Sequence, residues 1–155
     1  MAMAHLQLLQ EHPDIQNEMV EGEGFIEKVL KPHICYNNAI RSSLNNSHLK
    51  GIAHITGGGI TENLNRILPC DCDANVDLSK FKIPAIFKFI KERGKIDDSE
   101  MLRTFNMGIG MALVVNPKVE DIIINQVCKT GVDCYHIGEI VEGTGNVKCF
   151  NKLKY

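Results

Sequence analysis

Residues 54–64, His-Ile-Thr-Gly-Gly-Gly-Ile-Thr-Glu-Asn-Leu, combine the side chains and the backbone freedom needed to hold an anion. The run Gly51-Ile52-Ala53-His54-Ile55 reads as a short buried strand, and Ile60, Leu64, Ile67 and Leu68 after the glycines recur at helical spacing. A strand, a glycine turn and a helix aim unpaired backbone N–H groups at one point. The glycines admit close approach, and the helix start adds partial positive charge. Gly57, Gly58 and Gly59 form the expected phosphate cradle, with Thr56 and Asn63 as neutral hydrogen-bonding groups. His54 stands at the strand end, where ligands of α/β proteins gather. No Lys-Ser or Lys-Thr follows the glycines, and the run is not Gly-x-Gly-x-x-Gly, so neither familiar nucleotide loop is present. On the residues alone, a tight structural turn explains the segment about as well as a ligand site does.

A second unit, Arg103-Thr104-Phe105-Asn106-Met107-Gly108-Ile109-Gly110-Met111, places polar side chains before glycines that permit close backbone approach. Arg103 could fork onto a phosphate or carboxylate, or pair on the surface with Asp98 or Glu100. Thr104 and Asn106 are candidate substrate-orienting groups. Met101, Met107 and Met111 read as adaptable core filler. His33, His48 and His136 have no carboxylate or cysteine at ligand spacing. There is no Gly-x-Ser-x-Gly elbow and no paired-carboxylate signature.

The 155 residues carry 44% hydrophobic side chains, enough for one domain with a real core. A formal net charge of -2 gives no basic footprint for nucleic acid, and Lys and Arg are spread without a membrane-binding block. No apolar run reaches membrane-span length, and the N-terminus lacks the pattern of a secretory signal, so the expected address is the cytoplasm. Six cysteines, Cys35, Cys70, Cys72, Cys128, Cys134 and Cys149, fit reduced thiols. Cys70 and Cys72 are separated by one residue, a poor chelate for tetrahedral zinc, and no metal site is expected.

The elements that must position these groups follow from periodicity and punctuation. Helices are expected over Met3 to Gln10, along the Phe25-Ile26-Val29-Leu30 stripe up to Pro32, and over Tyr36 to Leu44 before Asn45-Asn46-Ser47. The polar stretch Glu11 to Gly24 is expected as a surface loop. Ala74 to Leu78 alternates like a strand, and Pro84 should open a helix that Gly94 ends. Phe87 and Phe89 on that helix cannot share one face, so core packing is expected of at least one. Asp97-Asp98-Ser99-Glu100 suits a helix start. Met107 to Val115 and Cys134 to Val141 read as strands, Asn116-Pro117 starts a further helix, and Val147 to Phe150 reads as an edge strand. Alternating strands and helices predict an α/β fold: a single domain with one mixed β-sheet covered by helices.

Taken together, residues 51–69, Gly-Ile-Ala-His-Ile-Thr-Gly-Gly-Gly-Ile-Thr-Glu-Asn-Leu-Asn-Arg-Ile-Leu-Pro, and the Arg103 to Met111 unit closely resemble the aminoimidazole ribonucleotide synthetases, also called phosphoribosylformylglycinamidine cyclo-ligases. The family's C-terminal half carries both motifs in this order and at similar separation. Ile83-Pro84 and Ile137-Gly138-Glu139-Ile140-Val141 are similar too, so the resemblance runs from about Phe25 to Val141. It implies an AIR synthase C-terminal-domain-like fold over residues 1–155, without the N-terminal ATP-binding half. Two departures stand out. Where the family reads P-T-[RK]-I-Y-V-K, this chain has Pro32-His33-Ile34-Cys35-Tyr36-Asn37-Asn38, without the basic groups, and Leu102 replaces an aromatic residue.

The resemblance implies ATP-dependent closure of formylglycinamidine ribonucleotide to aminoimidazole ribonucleotide in purine biosynthesis. ATP and Mg2+ are implied for the full-length enzyme, with neither expected on this chain alone, which should be inactive. A full-length homodimer is implied, with no nucleic-acid or membrane partner. His54 becomes the expected catalytic group. Thr56, Gly57, Gly58, Gly59, Asn63, Arg103, Thr104 and Asn106 become the expected substrate- and phosphate-binding set. The alternatives are another ATP-dependent enzyme of the same superfamily, or a non-catalytic phosphate-binding module.

Overall fold

The computed structural model describes residues 9–41, 43–44 and 47–155. The helix expected over Met3 to Gln10 falls outside them but for its last two residues, and so do Asn45 and Asn46 of the expected stop. The polar stretch Glu11 to Gly24, expected as loop, is ordered structure. A 3-10 helix at Pro13–Asn17 buries Ile15, and β1 (Met19–Val20) pairs antiparallel with β2 (Glu23–Gly24). Glu21 and Gly22 between them both have positive φ, the two-residue turn whose twist suits a hairpin. Glu-Gly is a weaker turn signal than Asn-Gly, which is why the hairpin was not legible.

Helix α1 (Phe25–Val29) begins as expected, and α2 is the four-residue piece Asn37–Ile40 of the helix expected to reach Leu44. Strand β3 (Leu49–His54) leads through the glycines into α3 (Gly59–Asn65). Strand β4 (Cys72–Asp77) follows. Helix α4 (Ala85–Gly94) has Pro84 at its N-cap, and the left-handed turn at its end is taken by Lys95 rather than Gly94. Helix α5 (Asp98–Thr104) is capped by Asp97, whose carboxylate accepts the Glu100 N–H at 2.9 Å. Both phenylalanines of α4 enter the core: Phe87 packs on Phe105 and Phe89 on Phe25, with centroids 5.7 and 5.2 Å apart.

The strand expected over Met107 to Val115 is shorter. Met107 and Gly108 turn the chain with φ of 51° and 97°, and β5 is Met111–Val115. The apolar run was misleading because Met107 is buried within a turn, at 1% exposure. Asn116 caps a 3-10 turn at Pro117–Val119, and α6 (Glu120–Cys128) continues it. Strand β6 (Gly138–Glu142) starts four residues later than expected, and β7 (Val147–Phe150) is an edge strand as expected.

The α/β class stands, but the strands do not form one sheet. β3 pairs antiparallel with β5, aligning His54 with Met111. The mixed sheet is β6-β4-β7, with β6 antiparallel and β7 parallel to the central β4. Alternation along a strand reports which face is buried and not which strand lies alongside, so this division could not be read from periodicity. Phe25, Ile55, Met101, Phe105 and Met107 are essentially inaccessible and share one core with Ile60, Leu64 and Ile90. Ala39, Ile123 and Val127 form a smaller cluster between α2 and α6.

Two aspartates pin the ends of β4. The chain leaves β6, crosses the start of β4 and returns along β7, and the buried Asp73 carboxylate accepts the Thr144 and Asn146 N–H groups of that crossing at 2.7 and 2.8 Å. Lys148 adds an ion pair at 2.6 Å. At the other end Asp77 accepts from Ser79 and from the Asn151 amide at 2.9 Å. Lys148, followed by the two backbone N–H groups, holds Asp73 far below the ordinary carboxylate range. Asn151 and Ser79 bring Asp77 down to about 2.

Depressed folded-state values mean that these carboxylates stabilise the fold above the unfolded pKa of about 4, and that the contribution is lost as pH falls below it. Asp73→Asn should therefore lower the urea midpoint at pH 7, and the gap to the wild type should narrow steadily between pH 4 and pH 2. A gap independent of pH would show that the charge is not what holds the crossing.

Candidate glycine-loop site

Strand β3 ends with the exposed His54, and the following Ile55 is fully buried, donating its N–H to the Gly110 carbonyl at 2.9 Å. The chain then turns on Thr56, whose carbonyl accepts the Gly59 N–H at 3.1 Å. Gly58 and Gly59 have φ of 90° and 59°, a region that side chains with a Cβ adopt only under strain. Gly59 has a second requirement: a Cβ there would lie 1.9 Å from the Leu102 carbonyl oxygen and 3.1 Å from that of Phe105. The first motif thus presses its backbone directly onto the helix end that carries the second. Gly57 is exposed, with open space where a side chain would stand. Among the described residues, the Gly57 and Gly58 N–H groups have no backbone partner.

Asn63 faces inward. It is 5% exposed, its amide donates to the Gly57 and Gly59 carbonyls at 3.1 and 2.8 Å, and its oxygen accepts from Arg66 at 3.3 Å. Its polar atoms thereby brace the turn. Arg103, 69% exposed, forks onto Glu100 with bonds of 2.8 and 2.7 Å, and Thr104 donates to the same carboxylate at 2.9 Å. Arg103 and then Thr104 hold the Glu100 carboxyl below its usual range, and Glu100 in turn raises the Arg103 guanidinium. The surface pairing, one of the two readings of Arg103, is therefore the arrangement found. Asn106 braces its own turn by accepting the Gly108 N–H at 3.2 Å.

Three further residues belong to this neighbourhood. Glu62 folds back over the turn, so that a Cβ on Gly58 would lie 2.2 Å from its carboxylate oxygen. His33, to which no role fell in the sequence, places Nε2 3.1 Å from Nε2 of His54. Tyr36 meets the His33 ring edge-on at 5.7 Å, and burial raises its phenol above the ordinary value. His33 and Tyr36 lie in the Pro32-to-Asn38 segment, where Ile34 and Asn38 stand at the family's basic positions and His33 stands at its threonine.

Two substitutions separate packing from bracing. Gly59→Ala should lose about 2 kcal/mol or more, since overpacking and a left-handed backbone act together. Asn63→Ala should cost about 1–3 kcal/mol by leaving two turn carbonyls without their donor. Urea unfolding of both variants measures this, and a wild-type midpoint for either would remove the corresponding constraint.

The chain matches the family model described as "AIR synthase related protein, C-terminal domain" over residues 6–149. It is 42% identical over 130 residues to a phosphoribosylformylglycinamidine cyclo-ligase of Prochlorococcus marinus (strain AS9601), covering 83% of this chain and 37% of that protein. It is 43% identical over 120 residues to the chloroplastic/mitochondrial protein of that name from Vigna unguiculata, covering 77% of this chain and 30% of that one. The Neisseria gonorrhoeae protein of the same name is 37% identical over 136 residues, covering 88% and 40%. The chain thus spans between three tenths and two fifths of the length of these relatives. In fold it is similar to E. coli HypE, with a TM-score of 0.62 and 16% identity over 91% of this chain and 41% of that one. No helix among the described residues is long and apolar enough to cross a membrane. The match across nearly the whole sequence, with both motifs packed against each other, establishes that this chain belongs to the AIR synthase related protein C-terminal domain family.

Proposed function

We propose that this chain forms one wall of the active site of an ATP-dependent cyclo-ligase, which closes formylglycinamidine ribonucleotide to aminoimidazole ribonucleotide. The observation that carries the reading is the apposition of the two motifs shared with that family, Gly59 resting on the Leu102 and Phe105 carbonyls. Relatives named phosphoribosylformylglycinamidine cyclo-ligase, at about 40% identity, support it.

The chemistry needs positioning and charge stabilisation more than a protein nucleophile. In ring closure the amine nitrogen attacks the activated formyl carbon, a C–N bond forms, the activating phosphate leaves, and the nitrogen loses a proton. His54, at the solvent-facing end of β3, accepts that proton. The Gly57 and Gly58 N–H groups, with the Thr56 hydroxyl, hold a phosphate of the substrate or of the activated intermediate. Asn63 and Asn106 keep the two turns in shape. Arg103 orients substrate only by leaving Glu100, an exchange of one carboxylate partner for an anionic ligand.

ATP supplies the activation, and Mg2+ its charge neutralisation. Among the described residues no group of three or more His, Cys, Asp and Glu side chains is placed to hold a metal. The family resemblance assigns ATP and Mg2+ to the N-terminal part of the enzyme, and no step here runs through them. A cytoplasmic homodimer of the complete enzyme is part of the same reading.

The isolated chain should show no ring closure, and addition of the N-terminal ATP-binding half in trans should restore it. In that reconstituted enzyme His54→Ala should depress turnover by at least about tenfold, and unchanged turnover would remove the proton-accepting role. Binding at the loop is separable from turnover. Titration of the chain with inorganic phosphate should shift the amide resonances of Gly57 to Ile60. Glu62→Gln should strengthen that binding several-fold, because the Glu62 carboxylate lies over the same turn and repels an incoming anion. Absence of shifts in both proteins would sink the phosphate cradle.

A further inference from the structure

Two imidazole nitrogens at 3.1 Å constrain each other more than either ring suggests alone. Neutral rings make such a contact only when one Nε2 carries a proton and the other offers a lone pair, which sets the two rings in opposite tautomers. His33 is itself held in place. Its ring centroid lies 5.2 Å from that of His54 and 5.7 Å from that of Tyr36, which meets it edge-on at 73°. Tyr36 in turn fits over the bare α-carbon of Gly110, where a Cβ would lie 1.9 Å from the phenol oxygen. The Gly110 carbonyl accepts the N–H of Ile55, the residue after His54, at 2.9 Å. His54, Ile55, Gly110, Tyr36 and His33 therefore close a ring of contacts around the end of β3.

We propose that His33 is a positioning residue of the candidate site, holding the His54 imidazole in a single tautomer through the bond between the two Nε2 atoms. The assignment of direction rests on the reading of His54 as proton acceptor. With Nε2 of His54 engaged by His33, Nδ1 is its remaining ring nitrogen and must be bare to take a proton. His54 then donates its Nε2–H, and His33 accepts on Nε2 while carrying its own proton on Nδ1. The Nδ1–H form is the minor one for a free imidazole, so the arrangement has a distinct signature.

Long-range proton–nitrogen correlation spectra of the 155-residue chain, recorded across a pH series, test this directly on the neutral rings. The expected result is His54 as the Nε2–H tautomer and His33 as the Nδ1–H tautomer, with His33 reverting to the Nε2–H-dominated mixture in His54→Ala. Both rings in the Nε2–H form, or the opposite assignment, would overturn the proposal. So would stoichiometric zinc binding that perturbs both Nε2 atoms, since 3.1 Å is also close to the spacing of two nitrogens on one metal. A backbone amide spectrum shows that each variant is folded. In the enzyme reconstituted with its N-terminal half, His33→Ala should lower kcat several-fold with little change in KM. His33→Gln, whose amide oxygen can accept the same hydrogen bond, should recover it. Failure of the wild-type reconstitution would overturn the cyclo-ligase reading and leave the tautomer measurement to decide the inference.

Discussion

The contact of Gly59 with the carbonyls of Leu102 and Phe105 is the constraint around which the rest of the molecule is arranged. It is a backbone-to-backbone approach, so only the absence of a side chain permits it, and it fixes where α3 begins relative to where α5 ends. Much else follows from that junction. Ile60 and Leu64 are drawn into the core beside Met101 and Phe105, which are buried completely or nearly so. β3, which delivers the chain to the turn, lies beside β5, which leaves the second motif, with His54 opposite Met111. Two segments about fifty residues apart in sequence thereby share one corner of the fold.

That corner is less simply cationic than its glycines suggest. Glu62 folds over the turn and Glu100 captures Arg103, so two carboxylates already answer the positive character of loop and guanidinium. In the proposed function such a site discriminates by exchange: an anion gains the loop N–H groups and Arg103 only as the carboxylates yield them. The cost of each exchange is modest because both carboxylates are water-accessible when displaced, and exposed ion pairs are worth ~1 kcal/mol or less. The buried Asn63 offers no such exchange, since its partners are the turn's own carbonyls. Bracing and the proposed binding thus fall to different residues of the same eleven-residue segment.

Residues that declare their roles by type are legible in the amino-acid sequence itself. The glycine turn, the Asp97 cap, the Asn116-Pro117 start and the β7 edge can all be read there, because each depends on a local backbone requirement. The Glu21-Gly22 hairpin and the turn at Met107 cannot, since Glu and Met rarely take positive φ and nothing local announces them. Strand partners are also hidden, because a run such as Ala74 to Leu78 has a buried face whichever neighbours it acquires. At the site, the members of the two motifs are identifiable by residue type, but their partners are not. Glu100 is the exception, an i,i+3 neighbour that Arg103 can reach along its own helix, whereas Glu62, Tyr36 and His33 act through contacts that only the folded chain creates.

His33 shows why a departure from a familiar pattern is not the same as a loss. Along the chain, Pro32-His33-Ile34-Cys35-Tyr36 is a segment missing its basic groups. In space it brings an imidazole against His54 and a phenol against Gly110. Gly110 then has two partners at once, the Ile55 N–H on its carbonyl and the Tyr36 ring over its α-carbon, and each limits how far the other can move. An exposed histidine at the end of a short strand would ordinarily sample several rotamers and both tautomers. Here its position is inherited from the backbone bond at Ile55 and its orientation from His33, so the freedom that the proposed proton transfer must otherwise overcome is removed by neighbours that need not touch substrate.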